Sequence, residues 1–211
     1  MRFSHIIFDW DGTVMDSAAK IVSCMQMAAV QAQLPVPSTD AVKDIIGISL
    51  SPAIARLFSI EMQHAEQVAA YYKEIFLSQD QTPSPLFSGV IKTLDTLSAS
   101  HVLGVATGKA RRGLERAWAV TNSGHYFNAA RCADDAESKP SPDMLLQLLA
   151  HWKIKPVNAL MVGDTVYDMQ MAEAIGMPRL GVSFGVHHPN EIIKHQPIAI
   201  VDSFSDILKH I

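Results

Sequence analysis

Two aspartates stand one residue apart where the first apolar run of the chain ends. Asp9 and Asp11 follow residues 6–8, Ile-Ile-Phe, at the point where a buried strand would emerge into solvent. Like charges held within about 4 to 6 Å disfavour joint ionisation, so either a metal ion compensates them or one carboxyl stays protonated. An Asp followed by Gly12 is also a common turn signal, so a solvated strand exit is the alternative interpretation.

A second acidic pair follows another apolar run, residues 159–162. Asp164 and Asp168 are four residues apart, so the first turn of a helix would carry both carboxylates on one side. Hard oxygen ligands at a strand end suit Mg²⁺, which usually takes one or two carboxylates together with phosphate and water. This pair therefore predicts a magnesium site.

Between the two acidic pairs lie a hydroxyl, a glycine amide and a single lysine. Thr107 and Gly108 end the apolar run 102–106 and precede a helix. Such groups suit an anion, especially phosphate, although a simple helix cap explains them about as well. Lys139 lies among turn residues, where a lysine is usually only solvated. Phosphoryl transfer through an aspartyl-phosphate would nevertheless need four groups of this kind: the two acidic pairs, the hydroxyl with its neighbouring amide, and the lysine.

The elements that must position these groups are short apolar runs alternating with amphipathic helical segments, the pattern of a parallel sheet covered by helices. The predicted strands are Ile6 to Asp9, Val102 to Ala106, Ala129 to Ala133, Ala159 to Val162, Arg179 to Val182 and Ile198 to Val201. Predicted helices include Gly89 to Leu97 and Asp143 to Trp152. Ligands bind beyond the carboxyl ends of such strands, so we expect the four groups to meet at one edge.

A long segment between the first two strands is helical throughout and carries no strand signal. Residues 16–83 are too many for a simple crossover and too regular for a loop, which predicts an inserted helical subdomain. Asp16 and Ser17 are expected to cap its first helix, and residues 81–85 to form the return linker. The predicted core is then residues 1–15 and 84–211.

Composition limits the function classes. The chain has 211 residues, 48% of them hydrophobic, and a net charge of -4, which is typical of a globular protein and offers no basic face for nucleic acid. No stretch approaches the length of a membrane span. Cys24 and Cys132 are too few and too far apart for a disulfide framework. We expect a cytoplasmic protein without nucleic-acid or membrane partners; the sequence does not indicate its oligomeric state.

The four groups lie in four motifs, numbered here in chain order as residues 9–13, 105–109, 137–143 and 161–168. With all four present in this order, the chain resembles the haloacid dehalogenase superfamily in its phosphatase branch, and in particular phosphoglycolate-phosphatase-like enzymes. The resemblance implies a Rossmann-like parallel sheet with helices on both faces, and an all-helical cap inserted between the first two motifs. It also implies that Asp9 is the nucleophile, that Asp11 is the general acid and base, and that Lys139 balances charge.

The same resemblance implies the binding roles. Thr107 and Gly108 match the motif that holds the phosphoryl oxygens, together with the lysine of the third motif. The metal would be Mg²⁺, held by Asp9, by Asp164 and by the main-chain carbonyl of Asp11. Asp168 would support the metal site through water or by holding the lysine.

Three residues of the insertion are candidates for contact with the leaving group. Residues 46–50, which contain Gly47, have the break expected of a cap loop that touches substrate. Lys43 and Arg56 could bind an anionic leaving group. A helix junction with solvated charges is the alternative interpretation of all three.

The predicted function is hydrolysis of a small phosphorylated metabolite by a Mg²⁺-dependent phosphomonoesterase. A sugar phosphomutase of the β-phosphoglucomutase type shares the motifs and cap and remains an alternative. An alternative of another class is a catalytically silent module that binds a phosphate ligand. Asp11 disfavours the dehalogenases, which lack it, and the phosphonate-cleaving relatives, which have alanine there. The substrate itself is not indicated by the sequence.

Overall fold

The sheet positions every group named above. The structure, a computed structural model, describes residues 3–211, so Met1 and Arg2 of the predicted core segment 1–15 lie outside the described residues. The strands are β1 His5–Phe8, β2 Val102–Ala106, β3 Phe127–Arg131, β4 Ala159–Gly163, β5 Arg179–Val182 and β6 Ile200–Val201. They form one sheet in the order β3-β2-β1-β4-β5-β6.

All six predicted strands are present and every pairing is parallel, which confirms the predicted α/β fold class. The predicted ends are less accurate. The third strand is Phe127–Arg131 instead of Ala129 to Ala133, because the amide of Cys132 donates to Oδ2 of Asp135 (2.8 Å) and leaves the ladder. The sixth strand keeps only the last two of its four predicted residues.

Four α-helices and a short π-helix lie within residues 16–83, after β1. They are α1 Ala18–Gln31, α2 Thr39–Lys43, α3 Leu50–Phe58, α4 Met62–Glu74 and the π-helix Ile75–Gln79. Their apolar side chains form a hydrophobic cluster of their own, made from residues 21–76. We call residues 16–83 the helical insertion.

The remaining helices cover the two faces of the sheet. They are α5 Val90–Ser98, α6 Arg111–Thr121, α7 Asp143–Trp152, α8 Val166–Glu173 and α9 Pro189–Ile192, with 3-10 turns at Gly124–Tyr126, Pro156–Asn158, Ile193–His195 and Phe204–Lys209. The predicted bounds of α7 are confirmed, and α5 begins one residue later than predicted.

The core has two sides because successive side chains of a strand point to opposite faces. Ile6 and Phe8 of β1 belong to the cluster that includes α5 and α6, whereas Ile7 belongs to the cluster that includes α7 and α8. Among residues 3–211, no helix is both long and apolar enough to cross a membrane.

Candidate active site

The predicted catalytic and metal-binding residues of the core meet at the carboxyl edge of three adjacent strands. β1 lies between β2 and β4, and Phe8 is in register with Val105 on one side and with Val162 on the other. Asp9 therefore emerges in the middle of the sheet, directly beside the ends of β2 and β4. The expectation of one common edge is confirmed for the strands that precede Thr107 and Asp164.

Asp9 is buried, and its two carboxylate oxygens have different surroundings. Oδ1 accepts a hydrogen bond from the main-chain N–H of Trp10 (2.7 Å) and lies 2.9 Å from Nζ of Lys139. Oδ2 has no hydrogen-bond partner among residues 3–211. Burial raises the pKa of Asp9 well above its usual range, against the opposing charge of Lys139. One oxygen is thus held and the other is free.

The Trp10 side chain points away from the site and into the core. It is fully buried and packs edge-on against Trp118 and Phe127, with ring centroids 6.4 and 5.9 Å away. This packing fixes the peptide whose N–H holds Asp9.

Lys139 joins the first and last motifs. Its Nζ contacts Oδ1 of Asp9 (2.9 Å) and Oδ1 of Asp168 (2.6 Å), and its side chain is wholly buried. Burial alone lowers the pKa of a lysine, but the carboxylates of Asp168 and Asp9 outweigh it, and the pKa of Lys139 lies above its usual value. The ammonium is therefore charged and is shared by two carboxylates.

Asp168 has both oxygens occupied. Besides the contact with Lys139, its Oδ2 accepts hydrogen bonds from the amide (3.1 Å) and the hydroxyl (2.7 Å) of Thr165. The Thr165 hydroxyl in turn accepts from the Asp168 amide, which completes a capping box at the start of α8. Asp168 thus helps to cap α8 and fixes the lysine at the same time.

Asp164 is fully buried and held from two loops. Oδ1 accepts from the Thr13 hydroxyl (2.7 Å) and Oδ2 from the Val186 amide (2.9 Å). Gly12, at φ +86°, approaches so closely that a Cβ there would lie 2.2 Å from Asp164 Oδ2. Burial, together with the Asp168 carboxylate, raises the pKa of Asp164 to about 7.

Three of the carboxylates predicted for the metal site form a cluster. Asp9, Asp164 and Asp168 each offer a carboxylate oxygen, and these oxygens lie within 4.8 Å of one another. The side chain of Asp11 is not in this cluster, so its predicted contribution through the main-chain carbonyl stays a prediction.

Asp11 is turned toward the second motif and the helical insertion. Its Oδ1 accepts from the Ser17 hydroxyl (2.7 Å), and its two oxygens lie 2.9 and 2.8 Å from Nζ of Lys109. Ser17 occupies the N-cap position of α1 but makes no side-chain capping bond. The predicted capping role of Ser17 is therefore wrong, because its hydroxyl binds Asp11 instead of the helix.

Thr107 and Gly108 lie beneath the helical insertion. Thr107 is buried, and its hydroxyl oxygen accepts from the Lys109 amide (3.2 Å). A Cβ at Gly108 would lie 2.6 Å from the main-chain oxygen of Gly47 and 2.7 Å from that of Ile48. The predicted cap loop is therefore in contact with the predicted phosphate-binding motif.

Other contacts between the insertion and the core surround this point. The Ser49 amide donates to the Ser138 hydroxyl (2.9 Å), beside Lys139. The Tyr167 hydroxyl accepts from Nη1 of Arg56 (2.8 Å) and donates to the main-chain oxygen of Asp44 (2.6 Å).

The three predicted specificity residues are placed differently. Gly47 lies over the second motif, as described. Lys43 lines a cavity of about 540 Å³ between α1 and residues 184–186, and Arg56 lines one of about 440 Å³ beside Tyr167. Among the described residues, the linings of these two cavities include none of the predicted catalytic side chains. Of the three, Gly47 is the one in contact with Gly108.

Lys109 and Thr13 contact aspartates of the predicted site, Asp11 and Asp164, and neither was assigned a role there from the sequence; Ser17, predicted only as a helix cap, also contacts Asp11. Lys109 stands two residues after Thr107 and Thr13 directly after Gly12, so presence in a motif was their only signal. Spacing alone does not tell which way a lysine stem or a hydroxyl points.

The chain is similar to known proteins over most of its length. A profile described as haloacid dehalogenase-like hydrolase matches residues 6–182. The chain is 31% identical over 209 residues to the probable phosphatase IndB of Dickeya dadantii, covering 96% of this chain and 91% of that protein. It is 28% identical over 229 residues to the phosphoglycolate phosphatase of Escherichia coli, covering 96% and 90%.

Solved structures have the same fold. A predicted phosphoglycolate phosphatase from Haemophilus somnus superposes with a TM-score of 0.88 at 25% identity, covering 100% of this chain and 98% of that chain. A haloacid dehalogenase-like hydrolase from Bacteroides fragilis superposes with a TM-score of 0.90 at 22% identity, covering 97% and 99%.

The chain belongs to the haloacid dehalogenase-like hydrolase family. The predicted family, fold and enzyme class, a hydrolase with phosphatases as relatives, are thereby confirmed.

Proposed function

We propose that the chain is a Mg²⁺-dependent phosphomonoesterase that hydrolyses a small phosphorylated metabolite through an aspartyl-phosphate on Asp9. The observation that carries the proposal is the asymmetry of this buried carboxylate. Oδ1 is held by Lys139 and a main-chain amide, whereas Oδ2 is without a hydrogen-bond partner in the described part of the chain. Such an oxygen is fixed in place and available as a nucleophile.

The proposed reaction has two displacements. In the first, Oδ2 of Asp9 attacks phosphorus, an O–P bond forms and the bond to the leaving oxygen breaks, while Asp11 protonates that oxygen. In the second, water attacks phosphorus and gives a proton to Asp11, and the bond to Asp9 breaks to release inorganic phosphate. General acid–base catalysis of this kind contributes about 10²- to 10⁴-fold to the rate.

The transferring phosphoryl group needs compensating charge and hydrogen-bond donors. The buried ammonium of Lys139 supplies a positive charge beside the nucleophile. The Thr107 hydroxyl accepts its hydrogen bond from an amide, which leaves its proton free to donate to a phosphoryl oxygen. The Gly108 amide is proposed as the second donor.

Asp9, Asp164 and the main-chain carbonyl of Asp11 are the proposed ligands of Mg²⁺. The clustered carboxylates fit a hard cation, because they offer oxygen donors and their like charges need compensation. Both oxygens of Asp168 are already engaged, which favours its role of holding Lys139 over direct ligation. When bound, Mg²⁺ would neutralise negative charge on the phosphoryl oxygens.

The helical insertion is proposed to act as a cap, with residues 1–15 and 84–211 as the catalytic core. The contact of Gly47 with Gly108 supports this assignment, as does the hydrogen bond between Ser49 and Ser138. A closed cap excludes water from the phosphoryl group, and its opening admits substrate. A cytoplasmic location and the absence of nucleic-acid and membrane partners stay predictions.

A phosphate-release screen over phosphorylated metabolites tests the proposal. We expect release with at least one compound in Mg²⁺, loss of release in EDTA, and loss in Asp9→Asn with its fold retained. Absence of hydrolysis for every compound would contradict it and favour a silent binding module. Interconversion of a sugar monophosphate in the presence of the bisphosphate, with little free phosphate, would instead indicate a mutase.

A further inference from the structure

Lys109 is a second lysine of the site that the proposed mechanism does not use. It ends the second motif, and its Nζ lies 2.9 and 2.8 Å from the two oxygens of Asp11. The side chains of Lys109 and Asp11 are only 14% and 12% exposed, so solvent screens this ion pair less than a surface pair. The ion pair therefore lies mostly buried beside the site.

The core fixes the direction of the Lys109 side chain. Its amide donates to the Thr107 hydroxyl (3.2 Å), and its main-chain oxygen accepts from the amide of Ala133 (3.1 Å). The stem lies against Gly113 of α6, where a Cβ would be only 3.0 Å from Cγ of Lys109. Glycine at position 113 thus leaves room for the stem to run toward Asp11.

The same ammonium also touches the helical insertion. Nζ of Lys109 lies 5.4 Å from the ring centroid of Phe76, a distance at which a cation is attracted to an aromatic face. Nζ of Lys20 lies 4.9 Å from the same ring and donates to the main-chain oxygen of Asp80 (2.8 Å). Phe76 therefore meets one cation from the insertion and one from the core.

Among residues 3–211, the side chains that bond to the Asp11 carboxylate are Ser17 and Lys109. Ser17 reaches Oδ1 only, so Oδ2 is held by the lysine alone. Without Lys109 the carboxylate keeps one anchor and can rotate about its Cβ–Cγ bond. A proton-transfer group that loses its orientation loses rate, because transfer needs hydrogen-bond geometry.

We propose that Lys109 is a positioning residue: it orients the Asp11 carboxyl for proton transfer, and its contact with Phe76 makes that orientation depend on the seated helical insertion. This inference rests on the proposed phosphatase function, in which Asp11 transfers the proton. It assigns the lysine a role through Asp11 and not through contact with the substrate.

The test uses Lys109→Met, which keeps the length of the stem and removes the charge, with Lys109→Arg as the conservative variant. Lys92→Met, an exposed lysine of α5, is the matched control. Two substrates are compared: p-nitrophenyl phosphate, whose leaving group needs little protonation, and phosphoglycolate or whichever alkyl phosphate the screen shows to be hydrolysed fastest.

For the alkyl phosphate, we expect Lys109→Met to lower kcat about 10- to 100-fold with little change in KM. The loss should be smaller for p-nitrophenyl phosphate, and Lys109→Arg should restore part of the rate. Equal losses for both substrates would overturn the inference. So would a rise in KM alone, since that result would mean that the lysine binds substrate.

A second variant leaves both members of the ion pair intact. Phe76→Leu keeps apolar bulk and removes the ring, and it should shift the alkyl-to-aryl rate ratio in the same direction by about two- to fivefold. An unchanged ratio in Phe76→Leu would overturn the link to the insertion, even if Lys109→Met fails to fold. Failure of the phosphatase proposal is separate, since wild-type protein would then hydrolyse neither substrate.

Discussion

The hydroxyl of Thr13 donates a 2.7 Å hydrogen bond to Oδ1 of Asp164, so the turn after β1 is tied directly to the end of β4. The two residues are 151 positions apart in the chain, and both are fully buried. This bond holds the first and fourth motifs in a fixed relation. It also orients a carboxylate that we propose as a metal ligand.

Thr13→Val keeps the side-chain shape and removes this bond. A buried carboxylate oxygen then loses its partner, so the free energy of unfolding should fall by about 1–3 kcal/mol. Because partners of metal ligands tune affinity, half-maximal activity should need about tenfold more Mg²⁺. Urea unfolding and a Mg²⁺ titration of phosphate release measure the two effects.

Thr96→Val is the control for this prediction. Thr96 lies on α5, exposed, and its hydroxyl bonds only to the main-chain oxygen of Lys92 within the same helix. Its Mg²⁺ dependence should equal that of wild type. An unchanged Mg²⁺ requirement in Thr13→Val would contradict a ligand role for Asp164.

The raised pKa of Asp164 predicts how metal-free stability depends on pH. Its pKa is about 7 in the folded protein, against about 4 for an unfolded aspartate. Between these values the folded state holds a proton that the unfolded chain has released, so the free energy of unfolding contributed by this group falls as pH rises. In EDTA at pH 8, Asp164→Asn should therefore have a higher melting temperature than wild type.

Thermal unfolding with and without Mg²⁺ tests this sign. The variant should gain at least about 2 °C in melting temperature at pH 8 in EDTA, a shift that corresponds to 0.5–1 kcal/mol in a chain of this size. Its advantage should shrink toward pH 4, where the wild-type carboxyl is protonated. Mg²⁺ should stabilise wild type at pH 8 but not the variant, and equal stabilisation of both would refute the proposed ligand.

Gly108→Ala tests the contact between the insertion and the second motif. The new Cβ would lie 2.6 and 2.7 Å from main-chain oxygens of Gly47 and Ile48, which a side-chain rotation cannot relieve. Either this loop or the second motif must shift. Because the second motif is proposed to hold the phosphoryl oxygens, phosphate release should fall at least about tenfold. Hydrogen exchange should quicken at residues 47–49 and stay unchanged in the strands; protection like that of wild type would show that the loop had not moved.

Tyr167→Phe removes a link between α8 and the insertion. The hydroxyl joins Arg56 to the main chain of Asp44, and its loss should lower the free energy of unfolding by about 0.5–1.5 kcal/mol. Faster hydrogen exchange across residues 44–56 is expected. Tyr126→Phe, which removes a hydroxyl bonded to Asp95, is the matched control. Similar changes in hydrogen exchange in both variants would argue that the Tyr167 hydroxyl does not hold the insertion against α8.

The sequence was sufficient to predict the sheet and to bring the candidate site residues to one of its edges, because both depend on local patterns. Apolar runs mark strands, and parallel strands bring their carboxyl ends to one edge, so Asp9, Thr107 and Asp164 could be placed together in advance. The predicted capping role of Ser17 was wrong, and no role was predicted for Lys109, because the contacts of these two residues do not depend on local patterns. Their side chains are directed by the insertion and by α6, whose docking no local pattern describes.

The insertion shows the same limit. The sequence predicts that the insertion is helical. It does not predict the contact of Gly47 with the second motif, because that contact depends on the close approach of two main-chain segments. Lys43 and Arg56 look alike as exposed cations near a loop, yet the structure assigns them to flanking cavities. The sequence shows that these residues are charged, but not which cavity beside the insertion each side chain lines.

Asp168 completes the capping box at the start of α8 and also anchors the lysine beside Asp9, the proposed nucleophile. Helix formation and the proposed chemistry therefore depend on the same carboxylate, so a substitution there would affect both. A lineage that abandoned catalysis could replace Asp9 or Asp11 and still build its helices, but replacement of Asp168 would also weaken the scaffold. Retention of Asp168 in a relative is for that reason a poor sign of activity, and the first motif is the place to judge whether such a relative is still an enzyme.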